Sequence, residues 1–261
     1  MALSVLVTGG TGTLGRRVVP RLQDAGCAVR VLSRTAHESE GGVEYVRGDL
    51  ATGDGVAAAV KGIDVVVHAA GTAKGDEVKT RNLIEAASKA GVKHLVYISV
   101  VGAERLPVTS RMDRAMFGYY AAKRASEQLI EASGIPYSIL RATQFQESML
   151  AVVKQLGKMT IVPAPTGSRF QPIAADEVAD RLVELALGEP AGLVPEVGGP
   201  RAYLLADLVR SYLKATGRRK PFISMRAPGK AAAAIRDGAN LTPDHAVGVR
   251  TWEEFLAEQV G

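Results

Sequence analysis

The sequence contains a single cysteine, Cys27, and no apolar run approaches roughly 20 residues, the length of a membrane-spanning helix. One cysteine cannot form an internal disulfide, and we expect Cys27 to be a small core residue, the alternative being a reactive thiol. The first residues enter an apolar strand pattern without a basic segment and a cleavage site, so no export signal is expected. These absences predict a cytoplasmic protein that does not bind membranes.

Metal-ligand spacing, nucleic-acid motifs, internal repeats and low-complexity linkers are also missing. The four histidines are scattered along the chain, so no metal site is predicted. The densest basic cluster, residues 218–220, is too short for nucleic-acid binding and has no interleaved aromatic residues. The net charge of +5 either attracts an anionic cofactor or substrate or belongs to an ordinary solvated surface. The expected partner is a small-molecule substrate, and the chain is expected to be a monomer or a homodimer.

The sequence does have a regular alternation of short apolar runs and helical patterns. Runs rich in β-branched residues predict buried parallel strands at residues 3–7, 28–32, 43–47, 64–68 and 94–99. An amphipathic pattern over residues 79–90 predicts a helix that ends before Gly91. This order predicts an α/β fold with a doubly wound parallel sheet. The 261 residues suit one large domain or two small ones.

The most informative motif is TGGTGTLG at residues 8–15, between the first predicted strand and a helix start. A tight turn needs residues without a Cβ, and a pyrophosphate needs close approach of the backbone. The helix N-terminus adds free N–H groups and the positive end of its dipole. This context predicts dinucleotide binding rather than a purely structural turn. The predicted binding residues are Gly9, Thr11, Gly12, Thr13, Leu14 and Gly15.

The end of the second predicted strand indicates which dinucleotide is bound. A carboxylate there would accept hydrogen bonds from the 2′-hydroxyl of NAD(H) and repel a 2′-phosphate. The sequence has Ser33 and Arg34 instead, which suit charge-assisted hydrogen bonds with a phosphate. We therefore predict NADP(H) in preference to NAD(H), the alternative being that Arg34 is a solvated loop residue.

Three further strand ends carry candidate cofactor contacts. Asp49, followed by Leu50, either accepts a hydrogen bond from the adenine amino group or caps the next helix. Ala69, Ala70 and Gly71 are small enough for a ribose or pyrophosphate to lie against the backbone. His68, at the end of the same strand, is interpreted as a packed or hydrogen-bonded core histidine.

The candidate catalytic residues are Ser99, Tyr119 and Lys123. The Ser99 hydroxyl is expected at the carboxyl edge of the sheet, where ligands of open α/β sheets bind. Tyr119 and Lys123 are four residues apart and share one helix face. A lysine ammonium beside a phenol favours the phenolate, lowers the phenol's pKa and makes it a usable proton donor. The alternative is an ordinary surface pair.

The substrate end is predicted to be mainly apolar with a few amides. Gln144, Phe145 and Gln146 follow the sixth predicted strand, and Met112 and Met116 belong to a predicted loop over residues 102–118 that can act as an apolar lid. Such a pocket suits an aromatic, quinone or polyketide-like carbonyl compound. The alternative is that the methionines are core residues.

The motifs together resemble the short-chain dehydrogenase/reductase superfamily in its extended or atypical, NmrA-like branch. The resemblance rests on residues 8–15, 33–34, 48–50, 68–71 and 97–99, on Tyr119-xxx-Lys123, and on residues 139–145, 171–179 and 197–200. It implies a Rossmann-type sheet of about seven parallel strands with a small C-terminal substrate-binding region. The chain is then one unit, with its nucleotide-binding part at about 1–143 and 171–187 and its substrate part at about 144–170 and 188–261.

The resemblance also implies roles. Tyr119 would be the acid/base, Lys123 would hold the nicotinamide ribose and lower the pKa of the tyrosine, and Ser99 would polarise a carbonyl. Many members place the catalytic hydroxyl one or two residues later, where this chain has Val100 and Val101. We therefore expect an NADPH-dependent oxidoreductase that reduces a carbonyl or quinone-like compound. The alternatives are a dinucleotide-binding sensor without turnover and a sugar-nucleotide-type epimerase.

Overall fold

The computed structural model describes residues 2–38, 41–71 and 75–260. The chain divides into two compact units. The first comprises Met1–Ser99, Ala122–Leu140 and Asp176–Pro195, and the second comprises Val100–Ala121, Arg141–Ala175 and Glu196–Gly261. The predicted division into a nucleotide-binding part and a substrate part is a functional one and stays a prediction.

Strands and helices alternate over the first two thirds of the chain, as the sequence pattern predicts. The strands are β1 (Ser4–Thr8), β2 (Ala28–Ser33), β3 (Glu44–Arg47), β4 (Val65–His68), β5 (His94–Val100), β6 (Tyr137–Ala142), β7 (Val162–Pro165), β8 (Arg169–Phe170), β9 (Gly192–Leu193), β10 (Tyr203–Leu204) and β11 (Phe222–Met225). The helices are α1 (Gly15–Asp24), α2 (Val56–Val60), α3 (Asp76–Ala90), α4 (Arg111–Glu131), α5 (Gln146–Gly157), α6 (Ala175–Leu187), α7 (Leu205–Ala215), α8 (Lys230–Arg236) and α9 (Trp252–Val260). A 3-10 turn covers Pro243–His245.

The first unit is built on a seven-stranded parallel sheet with the order β3-β2-β1-β4-β5-β6-β9. β1 lies between β2 and β4, so that Val7 has Val31 on one side and Val67 on the other. The predicted doubly wound α/β fold is therefore confirmed. The strand order changes direction at β1 and β4, and ligands of such sheets bind at the carboxyl ends of the strands beside this point.

The core of the first unit explains why its strands are apolar throughout. Leu6 in β1, Val66 in β4 and Leu95 in β5 are fully buried, as is Leu83 of α3. Strands of a parallel sheet have helices on both faces and alternate apolar with polar residues much less than exposed strands do. The burial of these large side chains is the main stabilising contribution in this unit.

The second unit has two small sheets and two apolar clusters. β8 pairs antiparallel with β10, and β7 pairs parallel with β11. α5, α7 and α9 contribute most of the larger cluster, in which Trp252 and Phe255 are almost completely buried. Trp252 and Phe255 therefore form the packing face of α9.

Helix α4 begins at Arg111, so the prediction of a loop is confirmed for residues 102–110 and wrong for residues 111–118. Ser110 donates its hydroxyl to Asp113 Oδ2 at 2.8 Å, while the Asp113 N–H donates to Ser110 Oγ at 3.0 Å. This reciprocal cap starts the helix at Arg111. The predicted lid residues Met112 and Met116 therefore lie on a helix, where each is about half exposed.

Cys27 is only partly buried, so its assignment to the core is also wrong. The partial burial raises the pKa of its thiol, which favours the unreactive protonated form. None of the helices in the described ranges is long and apolar enough to cross a membrane.

Candidate functional site

The glycine-rich segment forms a tight turn between β1 and α1. Gly9 has φ +72°, which L side chains rarely adopt, and its carbonyl accepts a hydrogen bond from the Gly12 N–H at 2.9 Å. The Gly12 carbonyl in turn accepts from the Arg16 N–H at 3.1 Å. The turn therefore leads directly into α1, as the sequence predicts.

The three spaced glycines have different surroundings. A Cβ on Gly15 would lie 2.1 Å from the Gly9 carbonyl oxygen, and a Cβ on Gly9 would lie 2.7 Å from the backbone of Ala70. A Cβ on Gly12 would meet only the Gly9 oxygen, at 3.2 Å. Gly9 and Gly15 are thus required for packing, whereas a Cβ on Gly12 would contact a single backbone atom.

This turn fits a pyrophosphate. The first turn of α1 carries no acidic side chain, and Leu14 at the N-cap position makes no side-chain cap, so the positive helix end is not neutralised locally. An anion beside Gly12 would meet backbone N–H groups and the positive end of the helix dipole.

The carboxyl end of β2 holds the predicted determinants for the cofactor's ribose. Ser33 is buried, and its Oγ accepts from the Thr35 N–H at 3.3 Å. Arg34 is exposed, and it makes no ion pair with another described residue. Thr35 Oγ1 and His37 Nε2 lie 2.9 Å apart, which adds two polar groups that the sequence analysis missed. Their presence within four residues of a strand end was the available signal.

The remaining predicted cofactor contacts follow the ends of β3 and β4. Asp49 Oδ1 accepts from the Ala51 N–H at 2.8 Å, and α2 begins later with Gly55 at its N-cap, so the interpretation of Asp49 as a helix cap is wrong. Leu50 is buried in the core. Ala69, Ala70 and Gly71 follow β4, and the Ala69 N–H donates to the Thr8 carbonyl at 3.1 Å. Their cofactor-binding roles stay predictions.

His68 lies in a buried chain of hydrogen bonds and is not exposed to ligands. Its Nδ1 is 2.7 Å from Thr8 Oγ1, its Nε2 is 3.2 Å from Thr80 Oγ1, and Thr80 donates to Ser126 at 3.1 Å. Because Thr80 donates onward, it accepts from His68 Nε2–H, and Nδ1 accepts from Thr8. Burial, together with the charge of Lys123, lowers the pKa of His68 to about 3. The interpretation of His68 as a hydrogen-bonded core histidine is confirmed.

Lys123 is almost completely buried in the first unit. Its Nζ donates to the Ile98 carbonyl at 3.1 Å, lies 3.6 Å from Asp76 Oδ2, and is 4.8 Å from the centre of the Tyr97 ring. A buried ammonium needs such a counter-charge, and Asp76 supplies it from the first turn of α3. The sequence analysis missed Asp76 because the pair is 47 residues apart in the chain.

Tyr119 precedes Lys123 by one turn of α4, so both are on one face of that helix. Tyr119 is 38 % exposed, and its ring packs edge-on against Tyr120 with the ring centres 5.9 Å apart. Ser99 is buried at the end of β5, and its hydroxyl has no hydrogen-bond partner among the described residues. An unsatisfied buried hydroxyl is costly and is characteristic of functional sites.

The predicted substrate residues lie in the second unit. Gln144 donates through Nε2 to the Tyr120 hydroxyl at 3.0 Å. Gln146 is fully buried, and its Nε2 donates to the Arg250 and Thr251 carbonyls, at 2.8 and 3.2 Å. Phe145 is at the N-cap position of α5. Since Met112 and Met116 are half exposed, the interpretation of these two as core residues is wrong. Substrate binding by all five stays a prediction.

The part of the chain that the structure describes has no group of three or more His, Cys, Asp or Glu residues that could hold a metal ion.

Comparison with known proteins shows the family of this chain. A sequence profile of the NAD(P)H-binding family matches residues 9–188, more than half of the chain. The photosystem II assembly factor Ycf39 of Synechocystis sp. is 31% identical over 160 residues, which are 57% of this chain and 47% of that protein. The match thus spans about half the length of that relative.

A second relative and a solved structure cover more of the chain. The (4-alkanoyl-5-oxo-2,5-dihydrofuran-3-yl)methyl phosphate reductase of Streptomyces griseus is 29% identical over 82% of this chain and 74% of that protein. The NADPH-dependent quinone oxidoreductase QOR2 of Escherichia coli, in complex with NADPH, has a TM-score of 0.80 and 19% identity over 98% of this chain and 100% of that one. The latter likeness shows a shared fold.

Substitution of two glycines in the turn tests their separate roles. Gly15→Ala places a Cβ against the Gly9 oxygen, so we expect a loss of stability of about 1–3 kcal/mol. Gly12→Ala meets a single atom, so we expect a small change in stability. We also expect a tenfold or greater loss of NADPH affinity, because the pyrophosphate needs close approach to the backbone at this turn. Chemical denaturation and calorimetric titration measure the two effects. Equal NADPH affinity of Gly12→Ala and the unsubstituted chain would contradict the assignment.

Buried His68 predicts a specific dependence of stability on pH. The unfolded histidine binds a proton below pH 6.5, whereas the folded one resists protonation until about pH 3. The contribution of His68 to the free energy of unfolding is therefore fully present above pH 6.5. It falls by up to about 1.4 kcal/mol per pH unit as the pH is lowered. Burial also lowers the pKa of His94, so this residue also makes the free energy of unfolding fall as the pH is lowered.

The measurement is the free energy of unfolding between pH 6.5 and 5, where most carboxyl groups remain ionised. His68→Gln should flatten this slope, while the exposed control His245→Gln should leave it unchanged. The same slope in His68→Gln and the unsubstituted chain would show that His68 does not resist protonation.

Proposed function

The chain belongs to the NAD(P)H-binding family, and on that premise we propose that it is an NADPH-dependent reductase of a carbonyl or quinone-like small molecule, such as an aromatic polyketide. The observation that carries this proposal is Lys123, a buried lysine held by Asp76 and Ile98, one helical turn after Tyr119. We further propose that the chain is of the atypical short-chain dehydrogenase/reductase type, NmrA-like branch.

Tyr119 acts as the proton donor in this proposal. Bound NADPH supplies the hydride that reaches the substrate's carbonyl carbon, and the Tyr119 phenol gives its proton to the carbonyl oxygen, which yields the alcohol. The Lys123 ammonium stabilises the phenolate that remains. Its contacts to Asp76 and Ile98 fix the direction in which the ammonium points. The hydroxyl of Ser99 polarises the carbonyl.

The cofactor is held at the turn and the adjacent strand ends. Backbone N–H groups at Thr13 and Leu14 would bind the pyrophosphate beside Gly12, and Arg34 would bind the 2′-phosphate, with the Thr35 and His37 side chains beside it. This arrangement supports NADP(H) in preference to NAD(H), because a guanidinium forms charge-assisted hydrogen bonds with a phosphate.

The substrate class follows from the groups near the predicted substrate residues. Gln144 and Tyr120 supply an amide and a phenol, and the two methionines of α4 supply flexible apolar contact. The names of two proteins similar to this chain, a furanone phosphate reductase and a quinone oxidoreductase, support an unsaturated or carbonyl acceptor.

A second candidate function is dinucleotide binding without turnover. Val100 and Val101 occupy the positions that follow Ser99, where many related enzymes carry a hydroxyl. Another similar protein is named as an assembly factor, which also supports this reading. Oxidation of NADPH with a panel of carbonyl and quinone substrates distinguishes a reductase from a binding protein. Cofactor that co-purifies with the chain and undergoes no net oxidation would indicate an epimerase.

Removal of one hydroxyl tests the proposed proton donor. Tyr119→Phe should lower turnover by about a hundredfold or more, with NADPH affinity unchanged, because the proton donor is lost and the cofactor turn is intact. The control is Tyr137→Phe, at the amino end of β6 and away from the ligand-binding edge. Turnover in Tyr119→Phe equal to that of the control would overturn the mechanism.

Removal of one guanidinium tests the proposed cofactor preference. Arg34→Ala should weaken NADPH binding by about tenfold or more and change NADH binding less than twofold, because only NADPH carries the 2′-phosphate. Lys89→Ala is the control, since Lys89 is in the last turn of α3 and pairs with Glu85 on the surface. Equal losses for the two cofactors in Arg34→Ala would contradict the preference.

A further inference from the structure

The second unit contains a cavity of about 500 Å³ that the reductase proposal does not use. Its walls are the β8–β10 strand pair, the first half of α7 and the start of α9. Cavities of this volume are typical of small-molecule sites. The lining includes three arginines: Arg169 in β8, Arg201 before β10 and Arg210 in α7.

The base of this cavity is held by internal hydrogen bonds. The Tyr203 hydroxyl donates to Glu253 Oε2 at 2.6 Å, and burial raises the pKa of Tyr203 to about 12, so the phenol stays a donor. Trp252 is 1 % exposed, and its Nε1 donates to Ser211 Oγ at 2.9 Å. These hydrogen bonds fix the shape of the cavity, and Glu253 keeps its negative charge because its partner is a neutral phenol.

The charges of the lining do not balance. Asp207 accepts from Arg210 Nη1 at 2.7 Å, and Glu253 is bound to the Tyr203 hydroxyl. Arg169 and Arg201 form no ion pair with any carboxylate of the described residues, and the Arg201 guanidinium lies 5.1 Å from the centre of the Tyr203 ring. The lining therefore has three guanidinium groups and two carboxylates, a net charge of +1, and two of the guanidinium groups form no ion pair with a described residue.

The backbone positions the walls of the cavity. Helix α7 starts at the cavity, and Asp207 in its first turn compensates the positive end of the helix dipole. The Arg169 main chain is fixed by its pairing with Leu204 and by a hydrogen bond from Asn240 Nδ2 to the Arg169 carbonyl at 2.8 Å.

We propose that this cavity binds the phosphate group of a phosphorylated small molecule, with Arg169 and Arg201 contacting the phosphate oxygens. A phosphate monoester is an anion at neutral pH, and a guanidinium that has no ion pair can form charge-assisted hydrogen bonds with its oxygens. The volume beyond one phosphate leaves room for the organic part of the ligand, which the Tyr203 ring contacts. The site is independent of the cofactor turn, because none of its lining residues belongs to the first unit.

The single tryptophan of the chain makes the test local. Trp252 lines this cavity, so its fluorescence reports on binding there. Inorganic phosphate is titrated to 50 mM at constant ionic strength, with acetate as a monoanion for comparison, and the thermal unfolding midpoint is followed in parallel. The Arg34→Ala chain is used throughout, because Arg34 is a second group expected to attract phosphate.

We expect a saturable fluorescence change and a rise in the unfolding midpoint with phosphate, and weaker effects with acetate. The double variant Arg169→Gln, Arg201→Gln should bind phosphate at least tenfold more weakly. Arg219→Gln, an exposed arginine outside the cavity, should bind as the parent chain does. The proposal is overturned if neither signal saturates, or if both signals are the same in the double variant and the parent. Because NADPH oxidation is not measured, this result is independent of the proposed reductase activity.

Discussion

The close approach of Gly15 to the Gly9 carbonyl is the constraint on which the cofactor region depends. It lets α1 begin within seven residues of the end of β1, and it directs the N-terminus of that helix toward the carboxyl edge of the sheet. A turn with ordinary side chains at these positions would separate the strand from the helix.

A buried polar chain extends from this turn to the candidate catalytic helix within the first unit. Thr8 ends β1 and binds His68, Thr80 binds His68 from α3, and Ser126 accepts from Thr80 one turn after Lys123 on α4. Buried hydrogen bonds of this kind fix a single arrangement because any other arrangement leaves polar groups unsatisfied. The position of Lys123 is therefore coupled to the cofactor turn through neutral residues, and its charge is balanced by Asp76.

The sequence predicted the features that depend on local pattern. The alternation of apolar runs and helices predicted the sheet, and glycine spacing predicted the turn, because both follow from chain geometry over a few residues. The start of α4 was missed although Ser110 and Asp113 have the spacing of a reciprocal cap. The roles of Asp76 beside Lys123 and of the Gln146 amide beside Arg250 depend on contacts between distant segments, which a single sequence does not reveal.

The most direct test of dinucleotide binding at the turn is amide hydrogen exchange of the full chain with and without saturating NADPH. The account predicts slower exchange for backbone amides of residues 9–16, because the cofactor's phosphates accept hydrogen bonds from N–H groups at the start of α1. Unchanged exchange at residues 9–16, or slowing confined to residues 203–211 in the second unit, would contradict it.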